Sequence, residues 1–281
     1  MSRTVITAGS RYLDIDSYSA IVAYAELLDG VPASNAPLNE SVVDDQDRVV
    51  RGFKSSSDDE FIIVDVSDPS AFEDFVDQNR IVEIIDHHFG FEKYWEEKGV
   101  KTQIEKIGAV ATIIWERWRD AGRLDEMSKA SGKLLMQAIL DNTLNFMAGV
   151  ANERDKIAYA DLVNRFGDIR TEYFETVEQG VLKDLVGALE KDMKVIDFKT
   201  LGREINVFQL AVWDAEKVLK RKDEVLKIAD GGFLNLVSIS KGESQIIAND
   251  KEILNWANGL MAGQKLFLRK EIVKKDLESI L

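Results

Sequence analysis

Apolar and polar positions along this chain follow two rhythms. Short continuous apolar runs at Val5-Ile6-Thr7, at 61–66 and at Ile81-Val82-Glu83-Ile84-Ile85 have the length of strands buried on both faces. Between and after them, apolar residues recur at helical spacing over 17–28, 72–76, 109–118, 129–140, 153–166 and 171–189. Strands alternating with helices predict βαβ units and a parallel, doubly wound sheet. Beyond residue 189 the rhythm changes. A hairpin is expected about Gly202, a helix over 214–226, strands over 233–238 and 244–248 turning at Gly242, and a helix over 253–261. The expected fold is therefore α/β: an N-terminal parallel-sheet domain over 1–188, a polar linker about 189–195, and a smaller C-terminal α+β domain over 196–281.

Composition narrows the function. The 281 residues are 45% hydrophobic and 31% charged, as in an ordinary globular protein. Formal net charge is −14, from 36 Lys+Arg against 50 Asp+Glu. That surplus of acid argues against nonspecific nucleic-acid or anionic-membrane binding, which rests on basic surfaces. Zero cysteines remove disulfides, thiolate nucleophiles and zinc-thiolate sites together. No apolar run approaches the ~18 residues of a membrane span, and Met1-Ser2-Arg3-Thr4 leads into a strand without a secretory leader. A cytoplasmic protein is expected.

The candidate chemistry lies at the ends of the expected strands. The chain's two histidines are adjacent, in Asp86-His87-His88, and close the third apolar run. Asp14-Ile15-Asp16 follows the first strand, Asp65 ends the second, and Asp141 ends a helix. In a parallel sheet such strand ends converge on one edge, where open α/β sheets build their ligand crevices. Carboxylates gathered there repel one another unless a cation sits among them. Oxygen ligands with imidazole suit Mn²⁺ or Mg²⁺ better than zinc. Bland readings stand beside these: Asp14 or Asp16 as a helix cap, Lys199 and Lys270 as solvated charges, and Trp115 with Trp118 as core.

This set of motifs resembles the DHH phosphoesterases, and more closely the family II inorganic pyrophosphatases and related exopolyphosphatases. The stretch Gly9-Ser10-Arg11-Tyr12-Leu13-Asp14-Ile15-Asp16-Ser17 is similar to the family's first motif, Asp65 to the second, Asp86-His87-His88 to the third and Asp141-Asn142-Thr143 to the fourth. Gly108-Ala109-Val110-Ala111-Thr112 is similar to a further conserved segment of that family. In the C-terminal half, Asp197-Phe198-Lys199 and Arg269-Lys270-Glu271 resemble two more.

The resemblance implies two divalent ions, Mn²⁺ first and Mg²⁺ second, held by Asp14, Asp16, Asp65, His87 and Asp141, with Asp65 bridging. A hydroxide between the metals would attack a terminal phosphoryl group of pyrophosphate or short polyphosphate. Asp65 and His88 would be the catalytic pair, with His88 also touching the phosphate. Lys199, Arg269 and Lys270 would bind substrate across an active-site cleft between the domains, with Lys194 a rival to Lys199. The resemblance allows a homodimer through the N-terminal domain. Alternatives are a phosphodiesterase acting on a nucleotide or short oligonucleotide, and a non-catalytic binder of phosphorylated ligands.

The chain departs from the family pattern at three places. Ser10 stands where pyrophosphatases carry a first histidine ligand, Arg11-Tyr12-Leu13 replaces an Asn-Pro-containing stretch, and Glu271 replaces a lysine. A hydroxyl is a poorer metal ligand than imidazole, so these changes put the substrate in question while leaving the reaction type in place.

Overall fold

The computed structural model describes residues 3–280. It divides into two compact units, one ending at Tyr173 and the other beginning at Phe174. The division lies upstream of the expected 189–195 linker, because the helices that precede that segment pack into the second core.

The first unit is built on five parallel strands: β1 (Thr4–Thr7), β2 (Val31–Pro32), β3 (Glu60–Val64), β4 (Ile81–Asp86) and β5 (Lys101–Ile104), in the order β2-β1-β3-β4-β5. The chain winds from β1 to β2 on one side, then crosses back to β3 on the other. That reversal opens a crevice beyond the carboxyl ends of β1 and β3. Helices α1 (Ile15–Leu28), α2 (Glu92–Glu97), α3 (Val110–Asp120), α4 (Lys129–Asn142) and α5 (Glu153–Phe166) complete the unit, with α1 packed on α3 and α4. On one face of the sheet Phe61, Ile63 and Ile84 bury against Phe53, Phe72 and Trp95. Trp115 and Trp118 are core residues: both are buried, and their indole N–H groups donate to Asp161 and to the Ala23 carbonyl.

One expectation for this unit needs correction, and two of its strands lie outside the expected pattern. Residues 72–76 are not helical: Phe72 bridges to Gly9, and single 3₁₀ turns lie at Pro69–Ala71 and Gln78–Arg80. The open course of this segment lets buried Glu73 accept from the Ser34 hydroxyl and from the Asn35 and Ala36 backbone N–H groups. The short strands β2 and β5 gave no sequence signal, β2 being two residues with an edge proline and β5 a mostly polar edge strand.

The second unit has a mixed sheet of β6 (Lys194–Phe198), β7 (Arg203–Val212), β8 (Phe233–Ser238) and β9 (Glu243–Ile247) in that order. The β7–β8 pair is parallel and the outer pairs are antiparallel. Gly202 and Gly242, both at positive φ, turn the two hairpins. Period-two alternation along β7 sends Phe208, Leu210 and Val212 into one core and Ile205 and Val207 into another.

The single helix expected over 171–189 is two, α6 (Arg170–Lys183) and α7 (Leu185–Asp192). Asp184 separates them by leaving the helical conformation to accept from the Gly187 N–H. Val181, Leu185 and Leu189 fill the first of the two cores. The helix expected over 214–226 also splits, into α8 (Ala215–Leu219) and α9 (Lys222–Ile228). Helices α10 (Lys251–Leu260) and α11 (Arg269–Glu278) cover the other face. No helix among the described residues is long and apolar enough to cross a membrane.

Candidate metal centre

Strand β4 delivers the site's densest chemistry. Asp86 is fully buried, and one of its oxygens accepts from the backbone N–H of His87 at 2.7 Å, the N–H of His88 at 3.0 Å and the His88 ring Nδ1 at 2.9 Å. This turn fixes the His88 imidazole. A carbonyl can only accept, so the Nδ1 of His87, 3.2 Å from the Ile107 carbonyl, carries that ring's proton and leaves a lone pair on Nε2. Burial, then the neighbouring His88, hold His87 below its usual pKa and keep it neutral. His88 is exposed, and its bond to Asp86 raises its pKa.

Asp65 stands just past β3 at φ +60, a left-handed conformation uncommon for a residue with a side chain. Its backbone N–H still pairs with the Ile85 carbonyl at 2.8 Å. One carboxylate oxygen accepts from the Ser17 hydroxyl. The other is buried and has no hydrogen-bond partner, lying 3.4 Å from His87 Nε2 and 3.9 Å from His88 Nδ1. Asp65, His87 and His88 are the described residues that come within mutual metal-binding reach. A buried carboxylate oxygen facing an imidazole lone pair needs a proton or a cation between them. The donor set of carboxylate and imidazole suits a divalent cation of the manganese type.

The other expected ligands approach this cluster without touching it. Asp14 caps α1, accepting from the Ser17 N–H at 3.0 Å. Asp16 is fully buried, with its oxygens on the N–H groups of Val110 and Ala111, both at 2.8 Å, at the start of α3. Asn142 adds a third bond to the same carboxylate. Asp141, at the end of α4, accepts from the Tyr173 hydroxyl at 2.9 Å.

Burial and neighbouring carboxylates raise the pKa values of Asp65, Asp16 and Asp141. Burial first, then Asp16, Asp14 and Asp86, drive Asp65 well above the carboxylate range. Asp16 is pushed up to about 8 by burial and Asp14, against the pull of its two backbone donors. Asp141 is pushed to about 6 by burial, with Tyr173 pulling down and Asp14 pushing up. Shifted carboxylates crowded at a sheet edge make this a candidate functional site.

Ser10, in the place of the family's first histidine, is exposed and donates its hydroxyl to the Ala71 carbonyl at 3.2 Å. In the second unit, Arg269 is committed: its guanidinium grips both oxygens of Asp192, at 2.7 and 3.1 Å, and the Asp192 carbonyl at 2.8 Å. Lys199 pairs with Asp197. Lys194 and Lys270 are exposed and carry no ion pair among the described residues. Sequence reasoning gave Asp86 and Ser17 no role of their own and missed Tyr173 altogether. The Asp-x-Asp-Ser run was the one signal that could have found Ser17, whereas Tyr173 stands in no motif.

Residues 4–141 match the N-terminal domain of the DHH family, a span that contains Asp14, Asp16, Asp65, both histidines and Asp141. The first unit carries a DHH-family N-terminal domain. Relatives extend the likeness past this DHH domain. The manganese-dependent inorganic pyrophosphatase of Methanocaldococcus jannaschii is 25% identical, with 95% of this chain and 94% of that protein covered. The protein of the same description from Methanothrix thermoacetophila is 26% identical over 80% of this chain and 76% of its own. The fold is shared with a crystal structure assigned to the family II inorganic pyrophosphatases from Methanococcus jannaschii, at a TM-score of 0.61 and 22% identity over 99% of both chains. An exopolyphosphatase-related protein from Bacteroides fragilis has the same fold at a TM-score of 0.56 and 13% identity, over 99% of this chain and 91% of that one.

Proposed function

We propose that this chain is a manganese-dependent hydrolase of phosphoanhydride bonds, acting on pyrophosphate and short polyphosphate. The observation that carries the reading is the unpartnered oxygen of Asp65 between the two imidazoles. The pyrophosphatase relatives, similar along most of the chain, support the same reaction.

Asp14, Asp16, Asp65, His87 and Asp141 would hold two divalent cations, with Mg²⁺ as the alternative to Mn²⁺ and Asp65 shared. Bound there, the cations would acidify a water molecule and offset the charge of the phosphoryl group. The protein's own part is orientation and proton handling. Asp86 aims the His88 ring, and Ser17 fixes the rotamer of Asp65. The Ile107 carbonyl keeps the His87 lone pair on Nε2. His88 gives its Nδ1 to Asp86, so Nε2 is the ring atom able to donate to a phosphate or leaving oxygen. Phosphate binding by Lys199, Arg269 and Lys270 belongs to the same proposal. Lys199 would exchange Asp197 for the substrate, and Arg269 would exchange Asp192.

The test is phosphate release by the purified protein with Mn²⁺ from pyrophosphate, tripolyphosphate and long polyphosphate. Release from the first two is expected. No release from any of the three would overturn the reading.

A further inference from the structure

A cavity of about 310 Å³ opens from Asp65 and His88 between the turns that follow β3 and β4. Its other walls are Val66, Asp68, Phe89 and Phe91. Cross-ties hold the two turns: the Ser67 hydroxyl donates to the His88 carbonyl at 3.1 Å, and the indole of fully buried Trp95 donates to the Ser67 carbonyl at 2.7 Å. The cavity is therefore preformed, and its volume falls at the lower end of the roughly 300–1,000 Å³ of small organic ligand pockets.

The lining is wrong for inorganic phosphate alone. Phe91 packs its ring edge-to-face on Tyr94, with centroids 6.3 Å apart. Phe89 follows the two histidines directly, is 61% exposed and makes no ring contact among the described residues. Inorganic pyrophosphate gains from cations and N–H donors and nothing from a phenyl face. A flat organic ring gains by stacking, whatever its substituents.

Building on the phosphoanhydride reading, we infer that the site also takes anhydrides esterified at one end to a flat heterocycle-bearing group, of the nucleoside diphosphate kind, with the ring lying on Phe89. The terminal phosphoryl group sits at Asp65 and His88, and the organic end runs along Val66 towards Phe89. Water adds its oxygen to the terminal phosphorus and the bond to the bridging oxygen breaks. Orthophosphate and the organic monophosphate leave, and the water's protons pass to the products and solvent.

The experiment compares adenosine 5′-diphosphate with pyrophosphate as substrates in the presence of Mn²⁺, for the native protein, Phe89→Ala and Phe89→Trp. The ratio of kcat/KM for the nucleotide over pyrophosphate should fall about tenfold in Phe89→Ala and recover in Phe89→Trp. Calorimetric binding of the non-hydrolysable α,β-methylene analogue should weaken about tenfold in Phe89→Ala, relative to methylenediphosphonate. Turnover of pyrophosphate without turnover of the nucleotide overturns the inference and leaves the phosphoanhydride reading standing. So does a ratio unmoved by either substitution. Phe89-dependent binding of the analogue without turnover of either substrate supports the subsite and overturns the hydrolase reading.

Discussion

The individual side chains divide into those that would hold a cation and those that hold such a ligand in place. Asp65→Asn keeps the shape and the Ser17 contact but removes the charge that a cation would neutralise. It should cost more than the roughly 10–100-fold typical of an outer partner, in both phosphate release and Mn²⁺ affinity; near-native values for both would refute a metal role for Asp65. Tyr173 is such an outer partner, 2% exposed and bonded to Asp141. Tyr173→Phe should weaken Mn²⁺ binding about tenfold or more, read by calorimetry on folded protein. Lost thermal stability with unchanged Mn²⁺ affinity would reduce it to a packing residue. The ligand candidates were legible in the sequence because carboxylates and histidines at strand ends stand out against apolar runs. Tyr173 was not, because its partner lies 32 positions away and a tyrosine in an amphipathic helix looks like core.

Among the elements, α3 links core to site. Its first amide groups hold Asp16, and the residue two positions before it, Gly108, donates to buried Asp155 at 3.1 Å. A Cβ at Gly108 would stand 2.4 Å from an Asp155 oxygen and 2.7 Å from the Thr143 methyl. Gly108→Ala should therefore cost about 1–3 kcal/mol in urea unfolding, with weaker Mn²⁺ binding because the amides on Asp16 shift; a neutral effect on both would show that the loop yields freely. Helix and strand types were readable wherever periodicity was long. Boundaries failed where one polar side chain decides the matter: Asp184 breaks a helix by capping the next, and Glu73 holds 72–76 open by serving three distant groups. Neither leaves a hydrophobic signature.

For the whole molecule, the raised carboxylates set a pH dependence. Asp16 near 8 and Asp141 near 6 lie above their ordinary value of 3.8, so the folded form binds more protons than the unfolded chain between about pH 4 and 8. Stability of the metal-free protein should fall as pH rises through that window. Mn²⁺ takes the place of those protons, so its affinity should rise over the same window. Thermal unfolding at about pH 5, 6.5 and 8, with and without saturating Mn²⁺, should show a falling series without metal and none with it. A metal-free protein equally stable at all three values would contradict the buried-acid account. The two-part α/β plan was legible from the change of rhythm near residue 189, yet the compact units meet at Tyr173 and Phe174, since α6 looks uniform in sequence. That seam has a consequence for modularity. The DHH match stops at residue 141, but the hydroxyl that steadies Asp141 comes from the last residue of the first unit. A recombination that joined this domain to a foreign partner at the edge of the match would keep every acid and both histidines. It would still sever one of them from its support, so the inheritable cassette runs to Tyr173.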